Sequence, residues 1–428
     1  MKKRILFIAL AVVLALSIGL IGCNGGQQEE EEEEEEELEG TLYIGGNFGL
    51  TGPWAEDCAA VLAAFEDYAD YVNDTHQTAP WGETFPEGVT LEVKFADDGC
   101  VNGALALENY ETLKDQGLLV QRISGTPIAM AMLDTLAEDE VGATSQASGP
   151  YLLTPPRTIF MNYPIYTDQA AAIADWFMDE WTEDTAPKVA YFTNDAFGMT
   201  LPIPEMDAYL ESIGFEVVKP VQVVPMVPTE EPTAQFQFLL NNNIDLALGA
   251  HTCIGSVPLM GWATDLGIGR GLTNDVTFGF CSPSHLVVYL QDAEPGDGNG
   301  LVIAGSYPAW GSGLDGMDFC LDLQATYGEA IDHIMYAHGV VEAMIQVEAL
   351  RLALENTGKQ PADLTTADVL NEGFYEITNL DTGDIIPGTI AYGVSDVEGA
   401  GEVVLHQNQD GENVELGTWP LRHLYEGA

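Results

Sequence analysis

The stretch TLYIGGNFGLTGPWAEDCAAVLAAFEDYADYVND, residues 41–74, joins an apolar segment to an amphipathic one through a turn that contains Gly and Pro. Residues 41–48 predict a β-strand, and residues 51–74 predict a turn followed by a helix. VTLEVKFADD, residues 89–98, then predicts a second strand. A strand, a helix and another strand in this order favour a parallel sheet flanked by helices, which is an α/β fold.

The same alternation continues along the chain and starts again near Thr167. Two successive series of this kind predict two similar Rossmann-like lobes. After Trp310 we expect a long helix and then a polar tail of short strands. The predicted segments are helices at 104–117, 129–140, 167–181, 206–214 and 328–356, and strands at 120–125, 141–148, 188–195, 215–224, 245–250, 277–281, 301–307 and within 389–419.

The N-terminus carries the parts of a secretory signal. MKKRILFIALAVVLALSIGLIGC, residues 1–23, has a basic start, an apolar middle and a small residue before Cys23. Its end, Leu20-Ile21-Gly22-Cys23, resembles the bacterial lipobox, in which the cysteine is lipidated on its thiol and becomes the new N-terminus after cleavage. A retained transmembrane helix is the competing interpretation. Residues 24–40, with nine consecutive glutamates, predict a solvated, disordered tether between this anchor and the folded part.

The chain is strongly acidic. It has 68 Asp and Glu against 13 Lys and Arg, a net charge of −55. The predicted signal and tether hold ten of these acids and three of the bases, so the other 388 residues have a net charge of −48 and suit two domains. Such a surface excludes nucleic-acid binding and disfavours anionic ligands unless donors are concentrated locally. A cationic ligand is the alternative.

Several motifs resemble the type I periplasmic binding proteins of the leucine, isoleucine and valine class, the solute receptors of ABC importers. They are GGNFGLTGPWAED at 45–57, DDGC at 97–100, KVAYFTNDAFGMTL at 188–201 and ESIGFEVV at 211–218. The similarity extends over nearly all of residues 41–428. It implies two lobes joined by a hinge of several strands, with a first lobe of 41–165 and 309–385 and a second lobe of 166–308 and 386–428.

The resemblance also implies a function. Such a protein captures a small organic solute by closing the cleft between its lobes and delivers it to an ABC permease. We therefore expect an extracytoplasmic monomer, held at the membrane by lipid on Cys23. An amino acid, an amide and an aromatic acid are the solute classes considered.

Ligands of such folds bind beyond the carboxyl ends of parallel strands, where loops and helix N-termini present free N–H groups. Matching the family's positions onto these loops places Thr126 and Ser148 at a ligand carboxylate. The predicted ligand-binding set is Trp54, Asp57, Thr126, Gln146, Ser148, Phe197, Thr252 and Ser282. Helix capping is the alternative role for each Ser and Thr, and ordinary packing for each aromatic residue.

One position departs from the family. Its amino-acid receptors hold the ligand ammonium with an acidic residue after the fourth strand of the second lobe, where this chain has Ser282 in the loop GFCSPS. Asp57 and Asp195 are possible substitutes, but neither matches that position. An amino-acid ligand is therefore in doubt.

Five cysteines remain after Cys23 is assigned to the anchor. Within the implied fold, Cys58 and Cys100 follow adjacent strands, as do Cys253 and Cys281. We therefore predict disulfides between Cys58 and Cys100 and between Cys253 and Cys281, with Cys320 left over.

An enzyme is not expected. The sequence contains no HExxH, GxSxG or P-loop motif, and its seven histidines do not cluster at metal-binding spacing, so neither metal nor cofactor is predicted. Cys281 near His251 and His285 could imitate a thiol nucleophile of a membrane-anchored hydrolase. A ligand-sensing receptor module of the same fold is the other alternative, and it would need a signalling domain or membrane span after the lobes.

Overall fold

The computed structural model describes residues 37–145, 147–155, 157–281, 294, 296–305 and 307–425. The predicted signal peptide, Cys23 and most of the predicted acidic tether lie outside the described residues, as do Gln146, Ser282 and His285. Leu38 already contacts the first hydrophobic core and Gly40 begins a strand, so the folded part starts before the predicted residue 41. Among the described residues, no helix has the length and apolar character needed to cross a membrane.

The first series forms two parallel ladders that lie side by side. One ladder pairs β1 with β2, and the other has the order β3–β4–β5. The strands are β1 (Gly40–Phe48), β2 (Val89–Asp97), β3 (Gln121–Ile123), β4 (Ala143–Ser145) and β5 (Ile159–Met161), and the helices between them are α1 (Ala55–Thr75), α2 (Gly103–Asp115) and α3 (Thr126–Glu138). The predicted alternation of strand and helix is therefore confirmed here.

Gly46 allows the two ladders to approach each other. Its φ is +139°, and an added Cβ would lie 2.3 Å from the backbone nitrogen of Arg122 in β3. Only glycine tolerates both that backbone angle and that contact. β1 consequently lies between β2 and β3, so the strand order reverses at β1, which is where α/β folds bind ligands.

The second series forms an eight-stranded sheet of order β15–β14–β11–β10–β9–β6, with β7 and β8 both paired to β6. Helices α4–α7 belong to the parallel part of this sheet, whereas β14 pairs antiparallel with both β11 and β15. The bounds are α4 (Tyr166–Glu180), β6 (Lys188–Asn194), α5 (Pro204–Ile213), β7 (Glu216–Val217), β8 (Gln222–Val224), α6 (Thr233–Asn241), β9 (Leu246–Ala250), α7 (Cys253–Asp265), β10 (Thr277–Cys281), β11 (Val302–Gly305), β14 (Glu402–Gln409) and β15 (Glu412–Pro420).

The chain then returns to the first core with α8 (Asp315–Tyr327), α9 (Ile334–Thr357), α10 (Thr366–Glu372) and the short strands β12 (Leu380–Asp381) and β13 (Thr389–Ile390). Helix α9 packs tightly on α1, since a Cβ added at Gly339 would lie 2.7 Å from Cβ of Ala64. The long helix predicted from Gly328 begins only at Ile334.

Two groups of buried apolar side chains define two lobes. The first core draws on residues 42–165 and 307–400, and the second lobe's clusters draw on residues 166–304 and 403–421. We therefore propose that the chain crosses between lobes near residues 165, 305 and 401. The last of these crossings is later than the predicted boundary at residue 386.

Candidate functional site

Trp54 lies in the loop between β1 and α1, beyond the carboxyl end of β1. Its side chain is 8% exposed, and a Cβ added at Gly125 would lie 3.3 Å from Cζ2 of its ring. Cys58, Cys100 and Met226 pack in the same cluster, and Met226 belongs to the second lobe. The indole Nε1 is buried without a hydrogen-bond partner in the described part of the chain. Trp54 thus links the lobes and leaves one donor unmatched.

Helix α3 presents an uncapped N-terminus beside Trp54. Gly125 occupies the N-cap position and provides no side-chain acceptor. The first N–H groups of a helix favour an anion, because they lack intrahelical partners and lie at the positive end of the helix dipole. Thr126 is buried; its carbonyl accepts a hydrogen bond from the Tyr151 hydroxyl at 3.2 Å, and its side chain lies beside the hydroxyl of Tyr166. Tyr166 is the first residue of α4, so this contact also joins the lobes.

Ser148 follows β4 and is completely buried. Its carbonyl accepts a hydrogen bond from the backbone N–H of Tyr166 at 3.0 Å. Its Oγ has no partner at ordinary hydrogen-bond geometry among the described residues, although the Tyr163 hydroxyl lies beside it. Burial raises the pKa of Tyr163 well above its usual range, so this hydroxyl keeps its proton. Ser148 is therefore a second polar group with unused hydrogen-bonding capacity.

Phe197 and Thr252 lie on the second lobe. The Phe197 ring is 5.3 Å from the Tyr166 ring, centroid to centroid, so these two rings of the second lobe contact each other. Thr252 is the N-cap of α7: its Oγ1 accepts from the Gly255 N–H at 3.1 Å and donates to the Met226 carbonyl at 3.3 Å. The hydroxyl of Thr252 thus already donates one hydrogen bond and accepts another, which agrees with the alternative role of helix capping.

Both aspartates that were considered as ammonium ligands lie close to other groups of the protein. Asp57 is buried, with Oδ1 3.3 Å from Nε2 of His333. Asp195 is exposed, and its Oδ1 accepts a hydrogen bond from the Met226 N–H at 2.9 Å. Both carboxylates therefore have structural partners, which disfavours an ammonium group in their place.

A charged network lies beneath Tyr163. Arg122 Nε donates to Glu342 Oε2 at 2.9 Å, both side chains are completely buried, and Arg122 also donates to the Asn47 carbonyl at 3.3 Å. Nε2 of His338 lies 3.4 Å from Glu342 Oε1. Burial alone would raise the pKa of Glu342, but Arg122 and His338 together outweigh burial through their charges and hydrogen bonds, and the pKa is lowered. Glu342 is therefore an ionised carboxylate inside the first core.

The sequence profile described as periplasmic binding protein matches residues 41–391, most of the chain. The chain belongs to the periplasmic binding protein family. A search of curated proteins finds no match to this periplasmic binding protein. Its fold of two α/β lobes is that of the type I members, as predicted.

Solved structures share this fold at low sequence identity. A branched-chain amino acid ABC transporter protein of Thermus thermophilus, with bound valine, has a TM-score of 0.72 at 18% identity over 90% of this chain and 98% of its own. A substrate-binding protein of Aeropyrum pernix has a TM-score of 0.75 at 18% sequence identity, over 91% of this chain and 100% of its own. A solute-binding protein of Rhodopseudomonas palustris BisB5, in complex with 3,4-dihydroxybenzoic acid, has a TM-score of 0.68 at 17% sequence identity, over 89% of this chain and 98% of its own.

Neither predicted disulfide of this periplasmic binding protein is formed in the structure. The thiol of Cys100 donates to the Gly49 carbonyl at 3.3 Å, and that of Cys281 donates to the Tyr166 carbonyl at 3.6 Å. The side chain of Cys253 lies outside the described part of the chain. Burial raises the pKa of Cys58 to about 11 and that of Cys100 to about 12, so neither is a thiolate at neutral pH. Because these two residues share one buried cluster, their oxidation to a disulfide stays a prediction.

Sequence reasoning missed Arg122, Glu342, Tyr166 and Met226. A signal existed for the first two, because Arg122 lies in a predicted strand between apolar Val120 and Ile123, and Glu342 lies in an almost entirely apolar part of α9. Met226 gave no local signal, since only the folded chain brings it to Trp54.

Proposed function

We propose that this periplasmic binding protein is the extracytoplasmic solute receptor of an ABC importer, which closes on a small organic solute and delivers it to a membrane permease. The observation that supports it is a pair of buried polar atoms, Trp54 Nε1 and Ser148 Oγ, which have no hydrogen-bond partner among the described residues and lie at loops that contact the second lobe. A buried polar group without a partner costs about 1–3 kcal/mol. A solute that pairs with both atoms would recover that free energy.

The solute class that fits these groups is an apolar or aromatic carboxylic acid. Trp54 Nε1 can only donate, the Ser148 hydroxyl can donate, and the uncapped start of α3 favours negative charge. Tyr166 and Phe197 provide aromatic surface for the body of the solute. An amino acid would also need a partner for its ammonium group, and Asp57 and Asp195 are engaged elsewhere.

Closure follows from contacts that span the lobes. Met226 packs against the cluster that contains Trp54, and Thr126 lies beside Tyr166, so these groups separate when the lobes part. A solute that contacts both lobes binds the closed form better and shifts the equilibrium toward it. The permease would then recognise the closed form.

The hydrolase alternative conflicts with the geometry of its proposed nucleophile. Cys281 is completely buried, its thiol donates to the Tyr166 carbonyl, and burial raises its pKa well above the usual range. Nε2 of His251 is bound to the Phe192 carbonyl at 2.8 Å, so it is not directed to a thiol. Catalytic cysteines need an accessible thiolate.

Replacing Ser148 with alanine should weaken solute binding about 5- to 150-fold, which corresponds to the 1–3 kcal/mol expected for a lost buried donor. The solute carried through native purification would be identified by mass spectrometry and then titrated calorimetrically. Ser212→Ala, on the exposed surface of α5, is the matched control and should bind like the unmodified protein. Equal affinity in Ser148→Ala would place the site elsewhere, and a chemically altered solute would indicate catalysis.

The lipid anchor rests on the lipobox-like sequence ending at Cys23. Cys23→Ala should abolish incorporation of labelled fatty acid and leave an unprocessed precursor, because the thiol that carries lipid is gone. A variant that loses the buried Cys320 instead should still be labelled. Continued labelling of Cys23→Ala would refute the anchor while leaving the proposed solute site intact.

A further inference from the structure

Asp168, Glu398 and His423 come together in the folded chain although they are far apart in the sequence. One ligand atom from each lies within 4.8 Å of the others. Asp168 is in the first turn of α4, Glu398 precedes β14, and His423 follows β15. None of them belongs to the proposed solute site, and no local spacing motif connects them.

The two carboxylates are buried and only partly satisfied. Asp168 is completely buried and Glu398 is 7% exposed. Glu398 Oε1 accepts from the Ile165 N–H at 2.9 Å, and Asp168 Oδ1 accepts from the Arg422 N–H at 3.0 Å. Asp168 Oδ2 is buried and has no hydrogen-bond partner within the described ranges. One carboxylate oxygen of the pair is thus left for another ligand.

The nearest arginine does not neutralise the pair. The guanidinium of Arg422 binds Asp175 instead, with Nη2 2.6 Å from Oδ2. His423 is the basic side chain that reaches the pair, with Nδ1 3.9 Å from Glu398 Oε2. Two carboxylates that are buried this close together repel each other when both are ionised. A bound cation would remove that repulsion.

We propose that Asp168, Glu398 and His423 bind one divalent transition-metal ion, for which Zn²⁺ is the best fit. One imidazole nitrogen with two carboxylate oxygens is a ligand set that suits Zn²⁺, whereas Ca²⁺ takes six to eight oxygen ligands. Ligand atoms about 2.0–2.2 Å from a tetrahedral ion lie roughly 3.3–3.6 Å apart. His423 is exposed and can move the short distance required. Water would occupy the fourth position.

The ion would fasten three segments at the hinge. Glu398 already holds the Ile165 N–H, and its neighbours Val397 and Gly399 bond to the backbone of Met161. Adding His423 to the same ion would tie the C-terminal segment to these two crossings. The ion's role would be structural, and it would stabilise the folded chain in proportion to its affinity.

The test is calorimetric titration of the purified full chain with ZnCl₂ after chelation, in excess Mg²⁺ that occupies the many exposed carboxylates. We expect one Zn²⁺ site per chain, weakened at least about 100-fold in His423→Asn, since loss of a direct ligand exceeds the effect of outer-shell changes. Asparagine suits position 423, where φ is +48°. His76→Asn is the matched control, because His76 has nearly the same φ of +52° and lies outside the cluster.

Two further readouts separate this site from adventitious binding. Co²⁺ should give the visible absorption of a low-coordinate nitrogen and oxygen site in the unmodified chain and in His76→Asn, and lose it in His423→Asn. Zn²⁺ should raise the melting temperature of the same two proteins only. Equal Zn²⁺ affinity in all three, or displacement of Zn²⁺ by Mg²⁺, would overturn the proposal.

Discussion

Replacing Arg122 with methionine is expected to lower the free energy of unfolding by about 3–5 kcal/mol, the typical cost of leaving one member of a buried ion pair alone. Arg122 and Glu342 are both completely buried, with Nε and Oε2 2.9 Å apart. Without the guanidinium, Glu342 must either keep a charge in the core or take up a proton. Urea unfolding followed by circular dichroism measures the loss.

Two controls show whether charge rather than volume is responsible. Arg122→Met combined with Glu342→Leu removes both charges and should recover most of the loss, because apolar pairs often replace buried ion pairs without cost. Lys359→Met breaks the partly exposed pair with Asp368 and should cost no more than about 1 kcal/mol. If Arg122→Met costs no more than Lys359→Met, the buried pair does not have the predicted importance.

Acidification from pH 8 to pH 5 should destabilise the chain by about 2 kcal/mol through His251 alone. Burial lowers the pKa of His251 from 6.5 to about 4. The unfolded chain therefore binds the proton first, so stability is lost as the pH falls from about 6.5 to about 4. Each pKa unit corresponds to about 1.4 kcal/mol, and pH 5 lies 1.5 units below the unfolded value. Buried His406 has the same shift and the same sign.

His251→Gln isolates this effect. Glutamine keeps an N–H that can reach the Phe192 carbonyl, but it does not titrate. The loss of unfolding free energy between pH 8 and pH 5 should be smaller in this variant by about 2 kcal/mol, and smaller by about 4 kcal/mol when His406→Gln is added. The carboxylates titrate equally in all these proteins, so an unchanged pH dependence would contradict the prediction.

The sequence predicted the fold best where each element has a clear period. β1, α1 and β2 agree with the prediction to within a few residues, because apolar residues alternate or repeat at helical spacing there. β5 was missed, since Ile159–Met161 is too short to show a period. The strand predicted at 215–224 divides into β7 and β8 around Pro220, which lacks the N–H that a ladder needs.

The end of the chain was predicted less well. Helix α8 was missed, and β14 and β15 are eight- and nine-residue strands rather than short ones. Buried polar residues such as Gln407 and Asn408 hide the alternation of β14. Tertiary contacts, such as the Asn408 amide donating to the Gly298 carbonyl at 3.2 Å, make their burial acceptable.

The sequence predicted which loops carry the proposed site, but it did not predict which residues of the second lobe these loops contact. Parallel strands place the loops that carry Trp54, Thr126 and Ser148 at one edge of the sheet, and matching the family's positions onto those loops predicted these residues. The partners, Met226 and Tyr166, depend on how the second lobe meets the first, which no local pattern encodes.

The interleaved chain path has a consequence for biosynthesis. The second lobe's parallel strands and their helices lie within one continuous stretch, residues 166–305, whereas the first core needs α9 and residues up to Ala400. A chain made from its N-terminus therefore completes most of the later lobe before the earlier one can close. Until Ile334–Thr357 arrives, the side of α1 that packs on this helix stays uncovered, and a chaperone would be most useful during that interval.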